Sequence, residues 1–456
     1  MLGIQKATVL AVSLWALLCA CSKDLSESTV AATTSADSGT AGNVTDSTVA
    51  PTDGSGATST MAGTAEATGL LSTSSMGSSA GAFCGNGAVE ENEDCDDGDA
   101  INGDGCNSDC SISGAQVWEI RSSRAAYDSF LGVTTHGDGS IFVSGSQAVN
   151  GQERLLARFA PNGDLVWSKA YEEADSGALL AVGTSGSRLY AAGMTNSDKR
   201  SVWVGGFDLD GELVWKDVVS SEFGHSYATG LSPIPDGGFV VVGLKTVDGG
   251  LAEVWTRRYG AEGSVEWTQG RPINDKALYS QGPGISFSEQ RIVVGFYSEP
   301  GFAELMVAYP PSGGDPLLDV ISMNSGPIYG VAEAAMGDIF VTGWETQVGI
   351  SVRRYDTQGV ILWSSFDCSG GAGRALAVDA QGDVVVIGDG PGSTMSNIRL
   401  CKFSPDGKLR WGKDIDGGEG NDFGRAVAIL PDDRIVVAGE MYLNGDYHGW
   451  LSVYSP

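Results

Sequence analysis

Histidine is nearly missing from this chain, with three residues in 456. That scarcity counts against chemistry resting on imidazole, such as Ser-His-Asp triads and His-ligated zinc hydrolysis. His136, His225 and His448 stand far apart, and no neighbouring Ser, Asp or Cys cluster joins them into a catalytic set. Positive charge is also scarce. Lys and Arg number 27 against 57 Asp and Glu, a formal net charge of -30, and residues 24–120 contain neither Lys nor Arg. A chain this acidic is repelled by nucleic acid and by anionic lipid headgroups, so neither is an expected partner of its folded part. The apolar stretch at residues 7–18 is too short to cross a bilayer as a helix, which takes about 20 residues.

Glycine, by contrast, is abundant at 66 residues, and much of it belongs to a phrase repeated seven times. Each phrase begins with a β-branched run ending near Gly: GSIFVSG at 139, SRLYAAG at 187, GGFVVVG at 237, QRIVVGF at 290, GDIFVTG at 337, GDVVVIG at 382 and DRIVVAG at 433. About fifteen residues on comes a strand with an aromatic near its end: Phe159, Phe207, Tyr259, Tyr309, Tyr355, Phe403 and Tyr454. A Gly turn and a Trp strand follow, at Trp167, Trp215, Trp267, Trp363 and Trp411, with Leu318 in the Trp place of the fourth unit. The seventh unit has no such strand after it, while an unmatched one surrounds Trp118 ahead of the first. A period of roughly 45 to 50 residues with about four short strands predicts an all-β fold, a β-propeller of four-stranded antiparallel blades. Naming the strands A to D, B is the β-branched run, C carries the aromatic and D the Trp. Seven B strands predict seven blades over residues 113–456, with the strand around Trp118 completing the last blade and hiding both strand edges. The repeats resemble the beta-propeller repeats of bacterial exported proteins, the SBBP type, over residues 115–456.

Residues 1–21 read as an export signal, with Lys6, the apolar stretch and then small residues. Leu18-Cys19-Ala20-Cys21 resembles the lipobox of bacterial lipoproteins, which implies lipid on Cys21 and a membrane partner through that lipid alone. The Ser at 22 implies, by the same resemblance, delivery to the outer membrane or cell surface. Residues 22–82 are Ser, Thr, Ala and Gly with almost no large apolar side chain, so burial cannot offset the entropy of ordering them. They are expected to be a disordered tether with an r.m.s. span of about 40 Å and an extended limit of about 200 Å.

Residues 83–112 hold Cys84, Cys95, Cys106 and Cys110 among Gly, Asn and Asp. An exported segment with so little core and an even Cys count reads as a disulfide framework, with three pairings open. The run CGNG, CDDG, NGDGC and closing Cys closely resembles the cysteine-rich repeat of myxobacterial surface proteins, which implies a small extracellular spacer and a myxobacterial or related source. Asp96, Asp97, Asp99, Asn102 and Asp104 offer hard oxygens for calcium, although off the EF-hand spacing; no other cofactor is expected. Cys368 and Cys401 are candidates for a third bridge, between adjacent blades.

The remaining candidate site is the mouth of the propeller tunnel, where Tyr227, Tyr279, Tyr329, Arg374 and Arg425 recur near the starts of A strands. Tyr and Arg are the side chains that dominate binding hot spots. The expected function is therefore non-catalytic binding of a protein or glycan by a monomeric, lipid-anchored surface head. The alternatives are a polysaccharide hydrolase or lyase using the Tyr and Arg cluster, and a structural envelope component with no ligand.

Overall fold

The computed structural model describes residues 84–456 apart from 123–127, 149–151, 172–175, 197–198, 274–283, 289, 299–302, 323–325, 335, 346–347, 369 and 391–395. The expected signal, the tether, Cys21 and Tyr279 lie outside the described residues. Within them, 28 strands form seven four-stranded antiparallel sheets, the expected seven-bladed propeller.

Strands A to D of blade 1 are Ser129–Thr135, Ile141–Ala148, Gln152–Phe159 and Leu165–Tyr171, and those of blade 2 are Gly177–Ser185, Arg188–Thr195, Val202–Asp208 and Leu213–Val219. Blade 3 follows with Ser226–Pro233, Phe239–Thr246, Ala252–Tyr259 and Val265–Ile273, and blade 4 with Gly284–Phe287, Ile292–Ser298, Ala303–Tyr309 and Leu318–Ser322. Blade 5 is Ile328–Glu333, Ile339–Glu345, Gly349–Tyr355 and Ile361–Ser365, and blade 6 is Gly373–Val378, Val384–Gly390, Asn397–Phe403 and Leu409–Ile415. Blade 7 takes A to C from Phe423–Ile429, Ile435–Leu443 and Asp446–Tyr454, and its D strand is Gln116–Arg121 from the other end of the head.

The β-branched runs are apolar without alternation because each B strand is covered on both faces by neighbouring blades. Ile141, Phe142 and Val143 are all fully buried, as are Val384, Val385 and Val386. D strands lie at the rim and alternate between cover and solvent. Each D-strand Trp fastens one blade to the next in a repeated way. Trp118, Trp167, Trp215, Trp267 and Trp363 donate Nε1–H to the carbonyls of Pro161, Leu209, Ala261, Pro311 and Pro405 in the next C to D turn. The turn Gly two residues beyond lies flat against the indole. At Gly407, for example, φ is +85° and an added Cβ would come within 2.7 Å of the Trp363 ring, so both backbone and space require Gly.

In blade 7 strands C and D, Asp446–Tyr454 and Gln116–Arg121, are not consecutive, so no C to D turn joins them. Gly114, with φ of +69°, takes the turn glycine's place under Trp411. It is held there by the chain end: Gly114 N–H donates to Pro456 O at 3.1 Å, Ser455 N–H to Ala115 O at 2.8 Å, and Ser455 Oγ to Ile112 O at 2.6 Å. The Trp411 Nε1–H finds no acceptor among the described residues, which distinguishes this seam from the five above.

The cysteine-rich module pairs Cys84 with Cys110 and Cys95 with Cys106, the nested choice among the three left open. It rests on blade 6. Asp104 lies 3.6 Å from Arg410, Gly103 packs over the head of Lys402, and Lys413 donates to the Gly114 carbonyl. Cys368, just past blade 5, is bonded to Cys401 in strand C of blade 6, the expected link between adjacent blades.

Candidate functional site

The innermost strands converge on the axis, and six of them carry a β-bulge at equivalent places. Register slips between Phe130 and Gly132, Leu179 and Ala181, Ala228 and Gly230, Ile328 and Gly330, Gly373 and Ala375, and Gly424 and Ala426. Each slip leaves one residue unopposed and turns it off the sheet. Those residues are Leu131, Leu180, Thr229, Tyr329, Arg374 and Arg425, and all six line a central cavity of about 210 Å³. The Gly or Ala after each bulge lets neighbouring A strands close in. A Cβ on Gly330 would lie 3.1 Å from the Ala375 Cα of the next blade.

The cavity is chemically two-sided. Blades 1 and 2 contribute Leu131 and Leu180, while blades 5 to 7 contribute Tyr329, Arg374 and Arg425. Arg374 donates from Nε to Asp389 Oδ2 at 2.9 Å and lies over the Tyr329 ring, 5.1 Å from its centre. Arg425 donates from Nε and Nη2 to Glu440 at 2.9 and 2.6 Å and stacks on Phe423. The arginine side chains are 16% and 29% exposed and their carboxylate partners 12% each, so the ion pairs are reachable from the cavity yet mostly sheltered. Burial pushes the Tyr329 phenol up, against the pull of Arg374, so it faces the cavity as a neutral hydroxyl.

Tyr227 is not at the mouth. It is 3% exposed and packs among Val242, Ile292 and other side chains between blades. The bulge of its strand falls two residues later, so Thr229 takes the axial position. Tyr329, Arg374 and Arg425 do come together, but each arginine is paired with its own acid. Asp389 and Glu440 were missed. The available signal was an acid directly after the Gly that ends each of those B runs.

The five side chains considered for calcium each have other partners. Asp96 accepts backbone N–H groups from Gly85, Asn86, Gly87 and Gly98; Asp97 accepts from Cys106, Asp99 from Ile101 and Asn102 from Ser108, while Asp104 faces Arg410. Among the described residues no group of three or more His, Cys, Asp or Glu is arranged to hold a metal. The histidines stay apart. His136 meets Asp138 and Gly186 O, His225 accepts the Arg200 N–H, and His448 meets Ser122 O.

A second concentration of charge lies under the module in blade 6. Lys402 Nζ is 3.0 Å from Asp379 Oδ2 and 3.4 Å from Asp383 Oδ2, and the three side chains are at most 1% exposed. Arg410 donates from Nη2 to Asp383 Oδ1 at 3.0 Å, and its Nε lies within ion-pair distance of Oδ2, at 2.9 Å. Burial, and after it the charge of Asp379, pushes the Asp383 carboxyl up despite the two cations. The sequence signal is a substitution within the repeat. The residue before the C-strand aromatic is Arg158, Arg258 and Arg354 in blades 1, 3 and 5, each paired to an A to B turn aspartate, and it is Lys402 in blade 6.

No family model matches this chain, and no curated protein does. Among solved structures it is similar to a streptogramin B lyase structure at 11% identity and TM-score 0.48, covering 74% of this chain and 97% of that one. Hydrazine synthase of Kuenenia stuttgartiensis is similar at 14% identity and TM-score 0.48, over 74% and 99% of the two chains. Sqt1 from Chaetomium thermophilum is similar at 14% identity and TM-score 0.44, over 72% and 83%.

Proposed function

We propose that this protein is a lipid-anchored component of the outer membrane or cell surface whose propeller head is a non-catalytic binding module for a protein or glycan. The export signal, the lipobox-like Cys21 and the Ser/Thr/Ala/Gly tether support the location. One observation carries the binding site: six bulged A strands aim their odd residue into one axial cavity, and those of blades 5 to 7 are Tyr329, Arg374 and Arg425. Because Asp389 and Glu440 neutralise the arginines, the polar wall offers paired donors and acceptors and no net anion trap. Sugar hydroxyls or peptide amides match such a wall, and Leu131 and Leu180 suit the apolar face of the same ligand.

The test removes the polarity without orphaning a charge. Replacing an arginine alone would leave a sheltered carboxylate unpaired and confuse folding with binding. The pairs Arg374→Gln with Asp389→Asn, and Arg425→Gln with Glu440→Gln, avoid this. With the head immobilised against a glycan panel and extracellular proteins, the combined variant is expected to lose about tenfold or more in affinity for what the parent captures. Undiminished capture by a variant that melts like the parent refutes the assignment to this mouth.

A further inference from the structure

We propose that Lys402 and Asp379 join in an intramolecular isopeptide bond, formed by the protein itself at the buried cluster in blade 6. The nucleophile is the Lys402 amine, with Nζ already 3.0 Å from Asp379 Oδ2. The electrophile is the Asp379 carboxyl carbon. Its other oxygen, Oδ1, accepts two backbone N–H groups, from Gln381 at 3.0 Å and Asp383 at 2.8 Å. Two fixed donors on one oxygen are the arrangement that stabilises a tetrahedral oxyanion during acyl transfer. Asp383 lies 3.4 Å from the same amine and serves as the proton relay, steered by Arg410. Gly103 of the cysteine-rich module closes the site: a Cβ there would fall 2.2 Å from Nζ, so the backbone lies directly over the lysine head and keeps water out.

The reaction balances without any outside reagent. One proton passes from Nζ to Asp379 Oδ2, giving amine and acid and removing two opposite charges from a site where charge is costly. The Nζ lone pair then forms the bond to Cγ while the carbonyl pair moves onto Oδ1, held by the two N–H groups. Asp383 takes a proton from the nitrogen and returns it to Oδ2, which leaves as water as the carbonyl re-forms. The products are one amide and one water. The Asp383 and Arg410 ion pair remains.

Two internal comparisons separate this site from an ordinary turn. Asp208 and Asp356 hold the same pair of backbone N–H bonds on one oxygen, at the C to D turns of blades 2 and 5, and among the described residues no lysine amine faces either one. In blades 1, 3 and 5 the ion pair equivalent to Lys402 is made by arginine, whose guanidinium is a poor acyl acceptor. Blade 6 alone of these four combines a primary amine, a supported carboxyl and a dry cover. The product ties strand C to the A to B turn by a bond that reductants do not break, one residue from Cys401.

Intact-mass measurement of the full mature chain, with its disulfides reduced, tests this directly. The expected mass is one water below that of the mature sequence with its N-terminal lipid counted, and digestion should yield a branched peptide linking Asp379 to Lys402. Lys402→Arg keeps the cation and should restore the full mass. Asp383→Asn keeps the shape and should slow linkage by about a hundredfold, the scale of a lost proton relay. A parent protein at full mass, whose denatured Lys402 is freely acetylated, overturns the proposal and leaves a buried ion pair. A water loss mapped to any other residue overturns it equally.

Discussion

Deleting Ser455 and Pro456 should loosen the ring at one seam and nowhere else. These two residues are buried at the end of blade 7, where they hold Gly114 beneath Trp411 and align the D strand that completes the blade. Four hydrogen bonds go with them: Ser455 N–H to Ala115 O, Ala115 N–H to Ser455 Oγ, Ser455 Oγ to Ile112 O, and Gly114 N–H to Pro456 O. At a net value of about 1 kcal/mol each, the loss is about 3 to 4 kcal/mol. With an unfolding entropy of about 2 cal/mol/K per residue over about 340 residues, that lowers the melting temperature by about 5 °C. Calorimetry of the protein measures the shift. Amide hydrogen exchange locates it, since Gln116–Arg121 and its partner Asp446–Tyr454 should lose protection first while the B strands of blades 2 and 3 keep theirs. A melting temperature within about 1 °C of the parent, with protection of Gln116–Arg121 unchanged, refutes the view that the chain end substitutes for the missing turn.

Two further outcomes are expected. The mature N-terminal peptide should begin at Cys21 and carry a diacylglyceryl group by mass spectrometry; an unmodified N-terminus elsewhere in residues 15–30 removes the anchor from the proposal. Alkylation of the native protein should find no free thiol at Cys84, Cys95, Cys106, Cys110, Cys368 or Cys401, and mapping should recover the three pairs seen here. A free thiol at Cys368 or Cys401 contradicts the link between blades 5 and 6.

Much of the architecture is legible in the sequence because the signals are local and recur. A β-branched run, an aromatic and a Gly turn before Trp each describe a few consecutive residues, and seven copies turn a weak pattern into a count of blades. Even the closure could be read, since a Trp strand lacking a unit at one end matched a unit lacking a Trp strand at the other. Cys368 and Cys401 stood out as candidates for the same reason, since the repeat puts them in neighbouring blades, but only the folded geometry joins them.

What the sequence determined by itself is therefore the ring: its blade number and its strand order, both of which follow from short-range patterns repeated at a fixed period. Tertiary structure decided the chemistry at its centre. A one-residue bulge sets which side chain faces the axis, and a slip of one position exchanges the two faces of a strand, so Thr229 stands where Tyr227 was expected. The partners of Arg374 and Arg425 sit on the adjacent strand, fifteen residues away in each case. The Lys402 cluster draws on three separate elements of blade 6 and on a module whose resting place no repeat encodes. Such encounters depend on how independent segments pack against one another, and burial then gives these few charged groups environments that their spacing along the chain does not describe.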